Sequence, residues 1–104
     1  GDGNLHPCLL FDERKPGAME AIVACGAEVM KVCVDAGGTL TGEHGVGLEK
    51  KELMPLVYSE EDMKAMRLVR EAFAPENRLN PGKIFPDGIH YQPPARTPEP
   101  GLSI

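Results

Sequence analysis

Glycine occupies five of the eleven positions from Gly37 to Gly47, and this central segment limits what the 104-residue chain can fold into. Glycine lowers the stability of helices and strands but permits the backbone angles that turns need. The segment therefore predicts a series of turns that separates two parts of the chain. The twelve glycines and ten prolines of the sequence have no regular period, which argues against collagen-like and repeat architectures.

Helical patterns lie on both sides of this segment. Apolar residues recur at the spacing of one helical face from Pro16 to Ala36, and Gly37 follows as a stop signal. A second helix is predicted after Ser59, which is a good N-cap residue followed by three carboxylates, and Pro75 should end it. We expect a short helix from Val46 to Met54, interrupted by the proline that follows.

Two short segments favour extended structure. Residues Leu5 to Phe11 predict a strand, because Leu9, Leu10 and Phe11 are too apolar to lie in solvent. Thr39 to Thr41 could form a second, brief extended segment. The expected fold class is therefore α+β, a predominantly helical chain with one or a few short strands. From Asp87 onward the sequence is rich in proline and predicts an extended, largely unstructured tail.

Size and charge restrict the class of protein. A mass of 11.2 kDa suits one small domain or a piece of a larger one, and the absence of an initiating Met suggests the second. A net charge of −5 argues against nucleic acid as a partner, because phosphate binding requires a basic surface. The longest apolar run, Ala21 to Cys25, is far below the roughly 18 residues of a membrane span, so no transmembrane segment is expected.

The three cysteines bear on the cellular compartment. Cys8, Cys25 and Cys33 form an odd set without the spacing of metal ligands. A helix that carried both Cys25 and Cys33 would separate them by about 12 Å, which is too far for a disulfide. We expect buried, reduced thiols, and hence a cytoplasmic protein.

Two histidines stand in glycine-rich turns. His6 follows the turn-forming residues Asp2, Gly3 and Asn4, and His44 follows Glu43 directly. Neighbouring side chains of a strand point to opposite faces. A kink at the glycines around Glu43 and His44 would instead aim both side chains into one cavity.

Residue type alone is compatible with three interpretations of these turns. An imidazole and a carboxylate suit Zn²⁺ or Mn²⁺, and a second histidine could serve as a base, which would make an enzyme with an open metal site. Alternatively, His6, Glu43 and His44 are all ligands in a small metal-binding protein. In the third reading the turns are only structural, as loop histidines commonly are, and the chain is a non-catalytic interaction or dimerisation module.

Three motifs in order resemble a known family: Gly1 to His6, Gly42 to Gly47, and Asn80 to Phe85. They are similar to the carboxyl-terminal part of FAD-linked oxidases of the vanillyl-alcohol-oxidase type, which include the glycolate oxidase flavin subunit and D-lactate and D-2-hydroxyglutarate dehydrogenases. The resemblance implies an amino-terminal FAD-binding domain and a cap domain with an antiparallel sheet flanked by helices. Residues 1–86 would form the end of the cap with a return toward the flavin domain, and residues 87–104 the tail.

The resemblance also implies roles for individual residues. His6 matches a histidine ligand and Glu43 a carboxylate ligand of the divalent metal, Zn or Mn, in metal-dependent members. His44 matches the catalytic base. Asn80 lies in the motif that approaches the flavin, and Lys83 extends that motif.

The remaining implications concern substrate and partners. The whole enzyme would oxidise a 2-hydroxy acid of the glycolate or D-lactate class to the 2-oxo acid, with FAD bound mainly by the missing domain. Asn4 is a candidate substrate residue, although turn geometry explains it equally well. Another histidine ligand of the family would precede Gly1. An electron-transfer subunit, a homo-oligomer and a location at the inner face of the membrane are further expectations.

Overall fold

The computed structural model describes residues 1–88, in which the regular secondary structure is helical. Helix α1 spans Ala18–Asp35, a 3₁₀ helix spans Lys51–Leu56, and helix α2 spans Glu60–Phe73. No strand occurs in residues 1–88. The α+β class and the antiparallel-sheet cap are therefore wrong for the part of the chain that the structure describes.

The predicted strand from Leu5 to Phe11 is the clearest error. None of its residues makes a backbone–backbone hydrogen bond with another of the described residues. A strand requires a neighbouring strand to complete its hydrogen bonds, and a local apolar pattern cannot supply one. Leu10 is 96% exposed, so the expectation that this stretch avoids solvent is also wrong. Thr39 to Thr41 is not a strand either.

Helix α1 ends where the glycines predict. The Gly37 N–H donates to the carbonyl of Val34 at 2.9 Å, and the Gly38 N–H donates to that of Cys33 at 2.8 Å. Gly37 has a φ of 87°, and this pairing satisfies carbonyls that would otherwise lack partners at the helix end. A β-carbon on Gly38 would lie 2.8 Å from the Cys33 carbonyl oxygen. The end of α1 therefore depends on Gly37 for its backbone conformation and on Gly38 for its small size.

The middle helix differs from its predicted bounds of Val46 to Met54. It is a 3₁₀ helix over Lys51–Leu56 and contains Pro55. The fixed φ of proline, near −65°, lies within the 3₁₀ range, and proline lacks only a donor there. Pro55 is thus accommodated inside this short helix, where we expected it to end an α-helix.

Helix α2 confirms its predicted start. The Asp62 N–H donates to Ser59 Oγ at 3.1 Å, and the Ser59 N–H donates to Asp62 Oδ2 at 2.9 Å. Hydrogen bonds from the Ser59 side chain and backbone lower the pKa of Asp62. The ionised Asp62 carboxylate stabilises the folded protein through this cap. That stabilisation is fully present above the ordinary pKa of an aspartate and is lost as the pH falls through the lowered pKa.

A small core joins the glycine-rich segment to the helices. Its four buried residues come from different segments: Leu40, Met54, Met63 and Phe85. Leu40 precedes the second histidine turn, and Phe85 ends the Asn80 motif, so the core holds both segments in place. Helix α1 contributes only partly buried side chains such as Met30 and Val34.

Two further expectations concern the cysteines and the membrane. All three cysteines are unpaired and exposed, so the expected burial of the thiols is wrong. No helix in the described part combines the length and apolarity needed to span a bilayer. The predicted tail lies outside the described residues from position 89 onward, while Asp87 accepts a hydrogen bond from Lys51 Nζ at 3.0 Å.

Candidate active site

The two histidine turns meet in space. His6 Nδ1 lies 3.0 Å from Glu43 Oε1, although 37 positions separate the two residues in sequence. His44 Nε2 lies 3.6 Å from the same carboxylate oxygen. The two imidazole rings approach edge to face, with centroids 5.0 Å apart. His6, Glu43 and His44 therefore form one group, which we call the His–Glu–His cluster.

The second turn is shaped by a hydroxyl that sequence reasoning missed. Thr41 Oγ1 accepts a hydrogen bond from the Gly45 N–H at 2.8 Å. This bond closes the chain around Glu43 and His44, while buried Leu40 fixes its start. A threonine placed four residues before a glycine was the available signal, since serine and threonine hydroxyls commonly close turns in this way.

The first turn packs directly against the second. The Asn4 N–H donates to Asp2 Oδ1 at 3.0 Å, which closes the first turn. A β-carbon on Gly42 would lie 2.4 Å from Asn4 Oδ1 and 2.9 Å from Asn4 Cγ. The lack of a side chain at Gly42 leaves room for the close approach of the Asn4 amide, which puts Asn4 beside the His–Glu–His cluster.

Gly42→Ala should disturb the packing between the two turns. The added methyl group overlaps the Asn4 amide, so the Asn4 side chain must move, and the surroundings of His6, Glu43 and His44 change. In nuclear magnetic resonance spectra, the His6 and His44 ring signals should shift. Gly26→Ala is the matched control, because a β-carbon there meets nothing within 4 Å and alanine favours a helix by roughly 0.5–1 kcal/mol. Equal ring shifts in both variants would contradict the proposed contact.

The cluster is accessible and electrostatically suited to a cation. A hydrogen bond from His6, followed by the charge of His44, lowers the pKa of Glu43 below its ordinary value. Glu43 is therefore a carboxylate at neutral pH. All three side chains remain more than half exposed, so a small molecule can reach them.

A cleft of about 660 Å³ opens beside the cluster. It is lined by residues of both histidine turns, including Asn4, and by Met30, Cys33 and Lys50. The structure thus brings four of the candidate residues to one cleft: Asn4, His6, Glu43 and His44. Asn80 and Lys83 do not line it.

Asn80 and Lys83 lie in a loop after α2 that is connected to the second turn. The Ile84 N–H donates to the Gly47 carbonyl at 2.8 Å. Arg70 of α2 donates from Nη2 to the Asn80 carbonyl at 2.6 Å. Sequence reasoning missed Arg70, because contacts to backbone carbonyls leave no motif.

The cluster fits a divalent cation in donor type and spacing. Each of its members offers one ligand atom, and these atoms lie within 4.8 Å of one another. Two ligand atoms about 2.1 Å from a tetrahedral ion would be about 3.4 Å apart, and the distances of 3.0 and 3.6 Å to Glu43 Oε1 bracket that value. His6 and Glu43 could hold the ion, and His44 is near enough to be a third ligand.

Comparison with known proteins defines the class. Residues 1–84 match the family model described as FAD linked oxidases, C-terminal domain. The match covers most of the chain, so this protein belongs to that family. The resemblance carried by the three sequence motifs is confirmed.

Individual members of the family are similar to this chain in sequence. The chain is similar to the glycolate oxidase subunit GlcD of Escherichia coli K12, with 40% identity over 86 residues, or 83% of this chain and 17% of the relative. It is 44% identical over 85 residues to GlcD of Bacillus subtilis, or 82% of this chain and 18% of the relative. It is 38% identical to a mitochondrial D-lactate dehydrogenase [cytochrome] of Kluyveromyces lactis over 82% of this chain and 14% of that protein.

Each of these matches covers only a small part of the relative. The chain spans less than a fifth of the length of each of these three relatives. No solved structure matches the chain. The likeness therefore identifies a carboxyl-terminal portion of an FAD-linked oxidase.

Proposed function

We propose that this chain is part of an FAD-dependent oxidoreductase that oxidises a 2-hydroxy acid of the glycolate or D-lactate class to the 2-oxo acid. The observation that carries the proposal is the convergence of His6, Glu43 and His44 from two distant turns beside one cleft. Membership of the FAD-linked oxidase family supplies the cofactor class. The names of the relatives, glycolate oxidase and D-lactate dehydrogenase, supply the substrate class.

His6 and Glu43 are proposed to hold Zn²⁺ or Mn²⁺. The ionised state of Glu43 and the direct contact of His6 with its carboxylate support this assignment. When bound, the cation would supply a positive charge that lowers the pKa of the substrate hydroxyl. With two ligands from the described residues, the coordination sphere would leave room for the carboxylate and hydroxyl of a 2-hydroxy acid.

His44 is proposed to take the hydroxyl proton on Nε2. Its ring stands beside the metal-binding pair yet is 66% exposed, so a substrate bound in the cleft can reach it. A neutral imidazole is a suitable base near neutral pH. FAD would supply the acceptor for the hydride that leaves the α-carbon.

Two further assignments complete the proposed site. Asn4 lines the cleft beside Glu43 and could orient the substrate through its amide. Asn80 and Lys83, which lie outside the cleft, are proposed to contact the flavin from the loop after α2. An electron-transfer subunit and a homo-oligomer are proposed as partners of the whole enzyme.

The test compares the full-length protein with residues 1–104 alone. The full-length protein should retain FAD and oxidise glycolate or D-lactate in the presence of an artificial electron acceptor. Residues 1–104 alone should be colourless and inactive, because one loop buries too little of a flavin to hold it. A full-length protein without flavin, or one with flavin that oxidises no 2-hydroxy acid, would contradict the proposal.

A second function is favoured by one distance. Because His44 Nε2 lies only 3.6 Å from Glu43 Oε1, His44 could act as a third ligand in a site that binds metal without catalysis. The metal content of a His44 variant separates the two functions.

A further inference from the structure

Arg70 connects helix α2 to the loop that carries Asn80 and Lys83. Its Nη2 donates to the Asn80 carbonyl at 2.6 Å, and its Nη1 donates to the Lys83 carbonyl at 3.4 Å. The guanidinium is a planar group with several donors in a fixed arrangement, so one side chain can fix two carbonyls at once. The contact spans the part of the loop between the two proposed flavin residues.

This loop has a backbone conformation that requires support. Asn80 has a φ of 46° and Ile84 a φ of 74°. The second is unusual, because the left-handed region is unfavourable for a β-branched residue. Such conformations persist only where the surrounding structure holds them. Arg70 holds the backbone at Asn80 and Lys83, and the hydrogen bond from the Ile84 N–H to the Gly47 carbonyl holds the residue that follows.

Helix α2 supports the loop at a second point. The guanidinium of Arg67 lies 5.3 Å from the ring centroid of Phe85, which is buried in the core. Arg67 thus stabilises the end of the loop through a side chain, whereas Arg70 contacts only backbone carbonyls. Of these two arginines, Arg70 is the one that acts on the backbone beside Asn80.

We propose that Arg70 is a positioning residue for FAD binding. It holds the backbone from Asn80 to Lys83 in one conformation before the cofactor arrives, so that FAD binding need not order the loop. The inference rests on the proposed function, in which this loop contacts the flavin. Arg70 itself need not touch FAD.

The test measures FAD affinity in the full-length protein, by titrating FAD into the apoprotein. If Arg70→Ala reduces the population of the binding-competent loop to about a tenth, the dissociation constant rises about tenfold. Arg70→Lys should give an intermediate dissociation constant, because a single ammonium group can reach one carbonyl but cannot donate to both as the guanidinium does. Arg78→Ala is the matched control, since that arginine is 78% exposed and pairs with Glu76; its FAD affinity should be unchanged.

A second readout reports on the loop without the flavin. Hydrogen exchange at the Ile84 amide of the apoprotein should be faster in Arg70→Ala than in the wild type and unchanged in Arg78→Ala. Metal content should be equal in all variants. If wild type binds FAD and Arg70→Ala and Arg70→Lys bind it equally well, the inference is overturned while the proposed function stands. A wild-type protein that binds no FAD overturns the proposed function itself, whatever the exchange rates.

Discussion

Glu43→Gln in the full-length protein is expected to weaken the binding of Zn²⁺ or Mn²⁺ by at least about 100-fold, because even the loss of an outer-sphere partner costs 10–100-fold in metal affinity. Glutamine keeps the shape of the side chain but removes the negative charge that His6 and His44 favour. Excess metal should restore part of the activity by mass action. The measurements are metal content after dialysis and the rate as a function of added metal.

Glu49→Gln is the control for this substitution. Glu49 lines the same cleft but does not belong to the His–Glu–His cluster, so it reports on the general loss of one negative charge near the site. Its metal affinity should be close to that of the wild type. Undiminished metal binding in Glu43→Gln, or the same loss in both variants, would rule out Glu43 as a specific ligand.

His44→Ala should reduce the rate of 2-hydroxy acid oxidation by about 10²- to 10⁴-fold, the usual cost of removing a general base. The proposed ligands, His6 and Glu43, remain in this variant, so bound metal should be retained and added metal should not restore the rate. The experiment combines metal analysis with steady-state kinetics. His6→Ala provides the contrast, because it should lose metal and respond to metal addition.

A different pattern would change the assignment of His44. If His44→Ala loses metal as fully as Glu43→Gln and recovers equally on addition of metal, then His44 is a ligand. That outcome would favour the metal-binding protein over the enzyme with a catalytic base. The two variants thus separate roles for neighbouring side chains that both lie within 4.8 Å of His6.

Local signals predicted helices α1 and α2 well, but not the bounds of the 3₁₀ helix between them. The hydroxyl of Ser59 and the carboxylate of Asp62 are three positions apart, and their reciprocal hydrogen bonds require no distant partner. The glycines after α1 likewise act within a few residues of the helix end. Such features can be predicted from sequence, because the interacting groups are close along the chain.

The strand prediction failed because strands depend on distant partners. The apolar residues from Leu5 to Phe11 have the composition of a strand, but pairing requires another segment, and none of residues 1–88 provides it. Leu5 is 88% exposed and Leu10 is 96% exposed. Their composition predicts burial, while the described part of the chain lacks the surface that would achieve it.

The candidate site was partly predictable. The glycine-flanked motifs identified His6, Glu43 and His44, and the structure brings these side chains together, although their chemical roles stay predictions. The supporting contacts of Thr41 and Arg70 were not predicted. The Thr41 contact had a local signal, because its hydroxyl lies four residues before the glycine that donates to it. Arg70 had none, because it contacts backbone carbonyls, which are present at every position.

The most direct test of the shared site is an anomalous-scattering map of the full-length protein crystallised with Mn²⁺ or Zn²⁺. We expect a strong peak for one cation in contact with the His6 imidazole and the Glu43 carboxylate, with the His44 ring facing the same cleft. A map without a peak beside Glu43, or a structure in which His6 and Glu43 lie on different surfaces, would contradict it.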